Sequence, residues 1–140
     1  MVFTRSAAHR ELARSLGAAW VGRAEEAPPE EPDGSIIFAP AGYLVPLALS
    51  RLKRGGTLAL AGITMSAIPG MPYDLLYGER AVRSVANATR RDAEELLDLA
   101  GRIPLRTEVE VFGLAEVNQA LLRLKQGRIS GAAVARVAIE

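Results

Sequence analysis

The stretch SIIFAPAGYLVPLALSRLKRGGTLALAG, residues 35–62, contains two short apolar runs separated by a segment with helical spacing. The first run, 35–39, is rich in β-branched and apolar residues, as in a buried strand. Apolar residues then recur every three or four positions across 43–53, which predicts a helix that ends before a glycine pair. The second run, 57–61, predicts another strand. Strand, helix and strand in this order indicate a parallel sheet with helical crossovers.

The same alternation extends to both ends of the chain. We predict further strands at 1–3, 20–21, 82–86, 107–112 and 132–139, further helices at 7–16, 91–101 and 114–126, a short helix at 73–77, and loops at 23–34 and 64–72.

Capping residues mark two of these helices. The Ser6 hydroxyl can cap the helix that follows it, and Gly17 can end that helix in the left-handed conformation. Thr89 and Asp92 have the spacing of a capping box, with aspartate in place of the usual glutamate.

The apolar positions also predict which faces are buried. In the helix at 114–126, Val117, Leu121 and Leu124 are expected to point inward. The strand at 107–112 alternates valine with glutamate and is expected to have one face in water.

Composition limits the class of protein. The 140 residues fit one compact domain, and because 49% are hydrophobic but only 5% aromatic, the core is aliphatic, as parallel sheets require. The net charge of +1 favours neither nucleic acid nor an acidic membrane. The absence of cysteine excludes disulfides, thiolate metal sites and cysteine nucleophiles. No apolar run reaches the roughly 20 residues of a membrane helix, and no signal-peptide pattern opens the chain, so a cytoplasmic protein is expected.

Four blocks of the sequence, in order and at matching spacing, resemble the zinc-type medium-chain alcohol dehydrogenases. The residues that carry the resemblance are TRS at 4–6 with ELARSLGA at 11–18, GGTLALAG at 55–62, SVAN at 84–87 with RRDAEE at 90–95, and EVNQAL at 116–121 with LKQGRISG at 124–131. In that family they belong to the second, fifth and sixth strands of the coenzyme domain and to the C-terminal segment.

The resemblance implies an α/β fold, in which residues 1–106 form an incomplete, Rossmann-like, mostly parallel sheet with flanking helices. Residues 107–140 would form a C-terminal βαβ segment that belongs to the catalytic domain. The glycine-rich phosphate turn and the central first strand of the usual order 3-2-1-4-5-6 are expected before Met1. The slot left by that strand could close by direct pairing, or be filled by a second copy or by a separate chain carrying the front half.

The resemblance also implies a coenzyme site at the N-terminus. Thr4 stands where NAD-preferring members carry an acid, and Thr4, Arg5, Ser6 and His9 offer hydroxyls and cations that favour NADP over NAD. The alternatives, of similar weight, are a solvated Arg5 and a Ser6 that only caps the helix. His9 is either a phosphate contact or a plain surface histidine, since a metal site lacks partners for it.

Further coenzyme contacts are expected where strands end. Small residues at the carboxyl ends of two strands would let backbone approach a ribose or the nicotinamide, although glycine there could serve turn geometry alone. These candidates are Ala39, Pro40, Ala61, Gly62 and Ile63, and the resemblance adds Val85, Ala86 and Asn87 beside the nicotinamide. Arg128 is the one cation available for the pyrophosphate. Without the phosphate-binding helix, affinity is expected on the order of millimolar, or none.

The expected function is therefore that of a truncated, NADP-type (or NAD-type) alcohol dehydrogenase module, inactive alone, with no catalytic residue and no zinc ligands of its own. In the full family the reaction is hydride transfer between an alcohol and NAD(P). The alternatives are a non-enzymatic structural or oligomerising remnant, and a half-enzyme that needs a separate N-terminal chain. A homodimer through the strand at 82–86 is expected, with neither nucleic acid nor membrane as partner.

Overall fold

The computed structural model describes residues 1–137. In this part the chain forms the following elements in order: β1 (Val2–Phe3), α1 (Ala7–Ser15), β2 (Val21–Gly22), β3 (Gly34–Ile37), α2 (Leu44–Leu49), β4 (Thr57–Leu60), a 3₁₀ turn (Tyr73–Leu75), β5 (Ala81–Ser84), α3 (Arg90–Ala100), β6 (Val109–Gly113), a second 3₁₀ turn (Leu114–Glu116), α4 (Val117–Lys125) and β7 (Ala132–Arg136). The prediction of a final strand at 132–139 runs past the described residues, and β7 ends at Arg136.

All strand pairs in the described part of the chain are parallel, and they form three separate sheets. The sheets are β1-β2, β3-β4-β5 and β6-β7. The α/β class with parallel sheets and flanking helices is thus confirmed, and β6-α4-β7 is the expected βαβ segment. Within residues 1–137, β1 and β3 are not paired with each other, so direct pairing does not close the predicted slot.

The edge of β3 that faces away from β4 presents backbone groups. The carbonyls of Asp33 and Ile37 accept from the N–H groups of Thr57 and Ala61 on the β4 side, at 3.2 and 2.8 Å. Because successive residues of a strand point their backbone groups in opposite directions, Ile36 directs its N–H and C=O outward. The side chain of Ile36 is exposed as well, so this edge presents polar backbone groups together with an apolar side chain.

The core lies between the central sheet and α2. Val45, Leu49, Leu52 and Leu58 are at most 1% exposed, and Ile37 packs with them. The helix is shorter than predicted, since it ends at Leu49 and the chain turns there, while Leu52 stays buried in that turn. The predicted short helix at 73–77 is likewise only a 3₁₀ turn.

The predicted helix caps are confirmed. The Ser6 hydroxyl accepts from the backbone N–H of His9 at 3.3 Å, and Gly17 has a φ of +94° after α1. Thr89 and Asp92 form a reciprocal capping box at the start of α3.

The buried face of α4 agrees with the prediction only at Val117, which is half-buried. Leu121 and Leu124 are 57% and 56% exposed, while Ala120 packs with Phe112 of β6. Ala120 and Arg123, which lie three residues apart on one face of α4, are its contacts with β6, through Phe112 and Glu110 respectively. The exposure of β6 is the reverse of the expectation, since its valines are exposed and Glu110 is half-buried.

Helix α3 has no buried residue. Its leucines Leu96, Leu97 and Leu99 are exposed, which leaves an apolar face in contact with solvent. None of the helices in residues 1–137 combines the length and apolarity needed to cross a membrane.

Candidate functional site

The turn from β1 to α1 is held by backbone and arginine contacts. The N–H of Thr4 donates to the Gly22 carbonyl at 2.9 Å, which fixes the end of β1 against β2. Arg10 Nη1 donates to the carbonyls of Thr4 and Arg5, at 3.0 and 2.8 Å. Arg10 is therefore tied to the backbone, and Arg5, which is exposed, remains available to a ligand.

His9 makes a contact that the sequence did not predict. Its ring atom Nε2 lies 3.3 Å from the carbonyl oxygen of Ile129, across 120 positions of sequence. This contact joins α1 to the loop between α4 and β7, which we call the 127–131 loop. The ring of His9 thus has a protein partner, and Ser6 acts as a cap.

Two hydrogen bonds and one glycine fix the conformation of the 127–131 loop. The N–H of Arg128 donates to the Arg123 carbonyl at 2.9 Å, and the N–H of Ser130 donates to Glu110 Oε1 at 2.8 Å. Gly131 has a φ of +81°, and a Cβ there would overlap the Glu108 carbonyl. The loop therefore has a defined conformation, which places Arg128 beside the residue that contacts His9.

Glu110 links this loop to α4. The Ser130 N–H, and to a smaller extent the Arg123 guanidinium, lower the pKa of Glu110 below its ordinary value of 4.5. Arg123 Nη2 also donates to the Arg128 carbonyl at 3.0 Å, and its guanidinium lies 5.3 Å from the Phe112 ring centroid. One carboxylate and one guanidinium thus connect β6, α4 and the loop.

The loops after β3 and β4 pack closely. A Cβ on Gly62 would lie 3.1 Å from both the Ala39 carbonyl oxygen and the Pro40 Cα, so Ala39, Pro40 and the segment Ala61–Gly62 meet. Ser66, which the sequence analysis missed, joins them, since its hydroxyl accepts from Gly42 N–H at 2.9 Å and its N–H donates to Pro40 O at 3.2 Å. No pattern in the sequence marks Ser66, because its partners are backbone groups of Gly42 and Pro40.

The remaining candidates lie at the ends of β4 and β5. Ile63 is 77% exposed. The N–H of Val85 donates to the Leu60 carbonyl at 2.9 Å, and Ala86 and Asn87 follow it, exposed. Of these four candidates Val85 is hydrogen-bonded to β4, and within residues 1–137 no hydrogen bond joins any of them to Thr4, Arg5, Ser6 or His9.

The chain's own residues do not fit the zinc site of the family. The sequence contains no cysteine and a single histidine, and residues 1–137 hold no group of three metal-ligating side chains. We therefore derive no chemical step through zinc.

Comparison with known sequences gives a consistent set of relatives. No family model matches the chain. "Probable alcohol dehydrogenase AdhA" of Mycobacterium tuberculosis is 44% identical over 134 residues, which are 95% of this chain and 39% of that protein. An alcohol dehydrogenase of Geobacillus stearothermophilus is 33% identical over 90 residues, 64% of this chain and 26% of that one. The chain thus spans less than half the length of the curated relatives it matches.

Solved structures agree on the fold. A cinnamyl alcohol dehydrogenase of Sorghum bicolor has a TM-score of 0.80 at 20% identity and is matched over 99% of this chain and 42% of that one. Acetophenone reductase of Geotrichum candidum, solved in complex with NAD, has a TM-score of 0.76 at 25% identity over 93% of this chain and 39% of that one.

Proposed function

We propose that this chain, which is homologous to alcohol dehydrogenases along 95% of its length, is the part of a medium-chain enzyme that binds a nicotinamide coenzyme. The observation that carries the proposal is the 44% identity to an alcohol dehydrogenase over 134 residues. The parallel sheets support it, because ligands of such folds bind at the carboxyl ends of the strands.

The reaction proposed for the complete assembly is reversible hydride transfer between an alcohol and NAD(P). The coenzyme supplies the hydride acceptor, and this chain binds and orients it. The chain alone is proposed to be inactive, because with no cysteine and a single histidine it lacks the zinc ligands with which the family stabilises the alkoxide.

The end of β1 supports a preference for NADP over NAD. Thr4 carries no charge that would repel a 2′-phosphate, and Arg5 is exposed beside it. Arg10 fixes the carbonyls of both residues, so the turn that presents Arg5 is ordered before any ligand arrives. Because the Ser6 hydroxyl caps α1, Ser6 is proposed to contribute to the site by fixing the start of that helix.

The loops after β3, β4 and β5 are proposed to hold the ribose and the nicotinamide. The close packing of Gly62 on Ala39 and Pro40 leaves backbone rather than side chains at that surface. Ile63 and Val85 are exposed apolar residues that can cover a nicotinamide ring, with Ala86 and Asn87 beyond Val85.

The proposed partner is a second copy of this chain or, as the alternative, a separate N-terminal dehydrogenase half. Within the described residues, the outward edges of β1 and β3 have no paired strand, and the chain matches only 39% of its relative AdhA. A parallel strand inserted between them would satisfy both edges. A homodimer through β5 is compatible with this arrangement, since β5 is the other edge of the central sheet.

Calorimetric titration of the chain with NADPH and NADH tests the proposal. We expect weak, saturable binding with NADPH preferred, and a loss of that preference in Arg5→Ala. Arg14→Ala is the control, because Arg14 is an exposed arginine of α1, the helix that follows Arg5, and is paired with Glu11. Equal dissociation constants for both coenzymes would contradict the NADP preference, and no saturable binding of either would contradict coenzyme binding by this chain.

A further inference from the structure

A turn near the N-terminus of the chain and a loop near its C-terminus meet at one place. The β1–α1 turn carries Arg5, and the 127–131 loop carries Arg128, and the contact between His9 and Ile129 joins the two segments. Both arginines are exposed. Arg5 follows β1 and Arg128 precedes β7, and the sheets of these two strands, β1-β2 and β6-β7, share no strand pairing in the described residues.

The loop does not hold this position by local backbone geometry alone. Glu110 Oε1 accepts the N–H of Ser130, and its other oxygen accepts from Arg123. Arg123 in turn donates to the carbonyl of Arg128, so the pair holds the residue before Ile129 through Arg123 and the residue after it through Glu110. Both side chains are less exposed than the other ion-paired side chains of residues 1–137, at 37% and 29%.

This pair differs from ordinary surface ion pairs in what it connects. Arg91 and Glu95, for example, are 86% and 62% exposed and lie on the same helix. Such an exposed pair within one helix contributes little to stability and connects no second element. The Glu110–Arg123 pair instead spans β6 and α4 and holds backbone groups on both sides of Ile129.

We infer that Glu110 and Arg123 are positioning residues, which hold the 127–131 loop on α1 so that the coenzyme phosphates meet side chains from both ends of the chain, Arg5 and Arg128. The inference rests on the proposed coenzyme function. The inference also gives His9 a structural role, the contact between α1 and the loop, and not a contact with a coenzyme phosphate. Loss of either member of the pair frees the loop, and Arg128 then no longer faces the same ligand as Arg5.

A double-mutant cycle tests the inference, with NADPH as the titrant. We expect Arg123→Gln to weaken NADPH binding about tenfold, and Arg128→Ala to weaken it by a similar factor. Adding Arg123→Gln to Arg128→Ala should then change the affinity less than about twofold, because the residue being positioned is gone. Arg91→Gln is the control for removal of an ion-paired arginine elsewhere.

The outcomes separate the inference from the proposed function. If the chain binds NADPH and Arg123→Gln binds it equally well, or weakens binding to the same extent with and without Arg128, the positioning role is overturned and coenzyme binding stands. If the unaltered chain binds no NADPH, the proposed function and the coenzyme part of the inference both fail.

A second measurement tests the loop contact without any ligand. His9 is the only histidine of the chain, so its ring gives a single set of proton resonances. We expect these resonances to shift in Arg123→Gln and in Glu110→Gln but not in Arg91→Gln. Unchanged resonances in the first two variants would overturn the claim that the pair holds the loop on α1.

Discussion

His9 and Ile129 lie 120 positions apart, yet the imidazole Nε2 of one is 3.3 Å from the carbonyl oxygen of the other. The contact connects the first helix of the chain to the loop that precedes its last described strand. It brings two candidate coenzyme-binding segments, Thr4 to His9 and the 127–131 loop, to the same place.

Thr4→Asp is expected to reverse the coenzyme preference. A carboxylate at the end of β1 would repel a 2′-phosphate and accept hydrogen bonds from the two ribose hydroxyls of NADH. We expect the ratio of NADPH to NADH affinity to fall at least about tenfold, which titration with both coenzymes measures. Thr4→Ser, which keeps the hydroxyl, is the control, and an unchanged ratio in Thr4→Asp would remove Thr4 from the site.

Gly131→Ala is expected to destabilise the β6-α4-β7 segment strongly. The substitution adds the cost of a left-handed φ, about 1–2 kcal/mol, to an overlap with the Glu108 carbonyl. Gly127→Ala also has a positive φ, but its Cβ would meet nothing within 4 Å, so only the first cost applies. Gly70→Ala, with neither feature, should change stability by less than about 0.5 kcal/mol.

Hydrogen exchange of amides in β6 and β7 measures this series. The expected order of destabilisation is Gly131, then Gly127, then Gly70. Equal effects at Gly131 and Gly127 would mean that the backbone around Glu108 moves to admit the methyl group.

Leu58→Ala is expected to cost about 2–5 kcal/mol, since Leu58 is fully buried between α2 and the central sheet. Leu97→Ala is the matched control. Leu97 is 72% exposed on α3, and its loss should change stability by less than about 0.5 kcal/mol. Urea denaturation followed by circular dichroism compares the two, and a large effect at Leu97 would show that α3 is covered in solution.

The stability of the β6-α4-β7 segment is expected to fall in acid because of Glu110. Its pKa is lowered in the folded chain, so the unfolded chain binds the proton more readily. The stabilisation is complete above the ordinary value of 4.5 and is lost as the pH falls through the lower, folded pKa. Exchange of the Ser130 amide between pH 6 and 3 should show this loss in the unaltered chain.

Glu110→Gln should have a flatter dependence on pH than the unaltered chain. Glu94→Gln, a change at an exposed glutamate of α3, should keep the original dependence. The same acid sensitivity in Glu110→Gln would assign the effect to another carboxylate.

Local signals in the sequence predicted most of the elements. The apolar runs around Ile37 and Leu58, ended by proline or glycine, located two strands of the central sheet, and the spacing of Thr89 and Asp92 predicted the capping box. Such signals depend on a few neighbouring residues, and a single sequence contains them.

The errors concern faces and long-range contacts. Periodicity predicted that Leu121 and Leu124 point inward, but both are exposed. Helix α4 instead contacts β6 through Ala120 and Arg123, and the spacing of residues within a helix does not say which other element it will meet. The contact of His9 with Ile129 uses a backbone carbonyl, which every residue possesses, so no sequence pattern could have indicated it. The division into three sheets likewise depends on which strands pair with each other, and no local pattern in the sequence indicates strand pairing.

The packing of Phe3 on Trp20, with ring centroids 5.0 Å apart, determines what fluorescence can report about this protein. Trp20 is the only tryptophan of the sequence, and it directly precedes β2. Strand β2 belongs to the two-stranded sheet, which in the described residues pairs with neither of the other sheets. The emission of Trp20 therefore monitors the N-terminal unit, whereas far-ultraviolet dichroism averages over all helices. Non-coincident transitions from these two probes would show that the units melt separately, and no single melting temperature would then describe the chain.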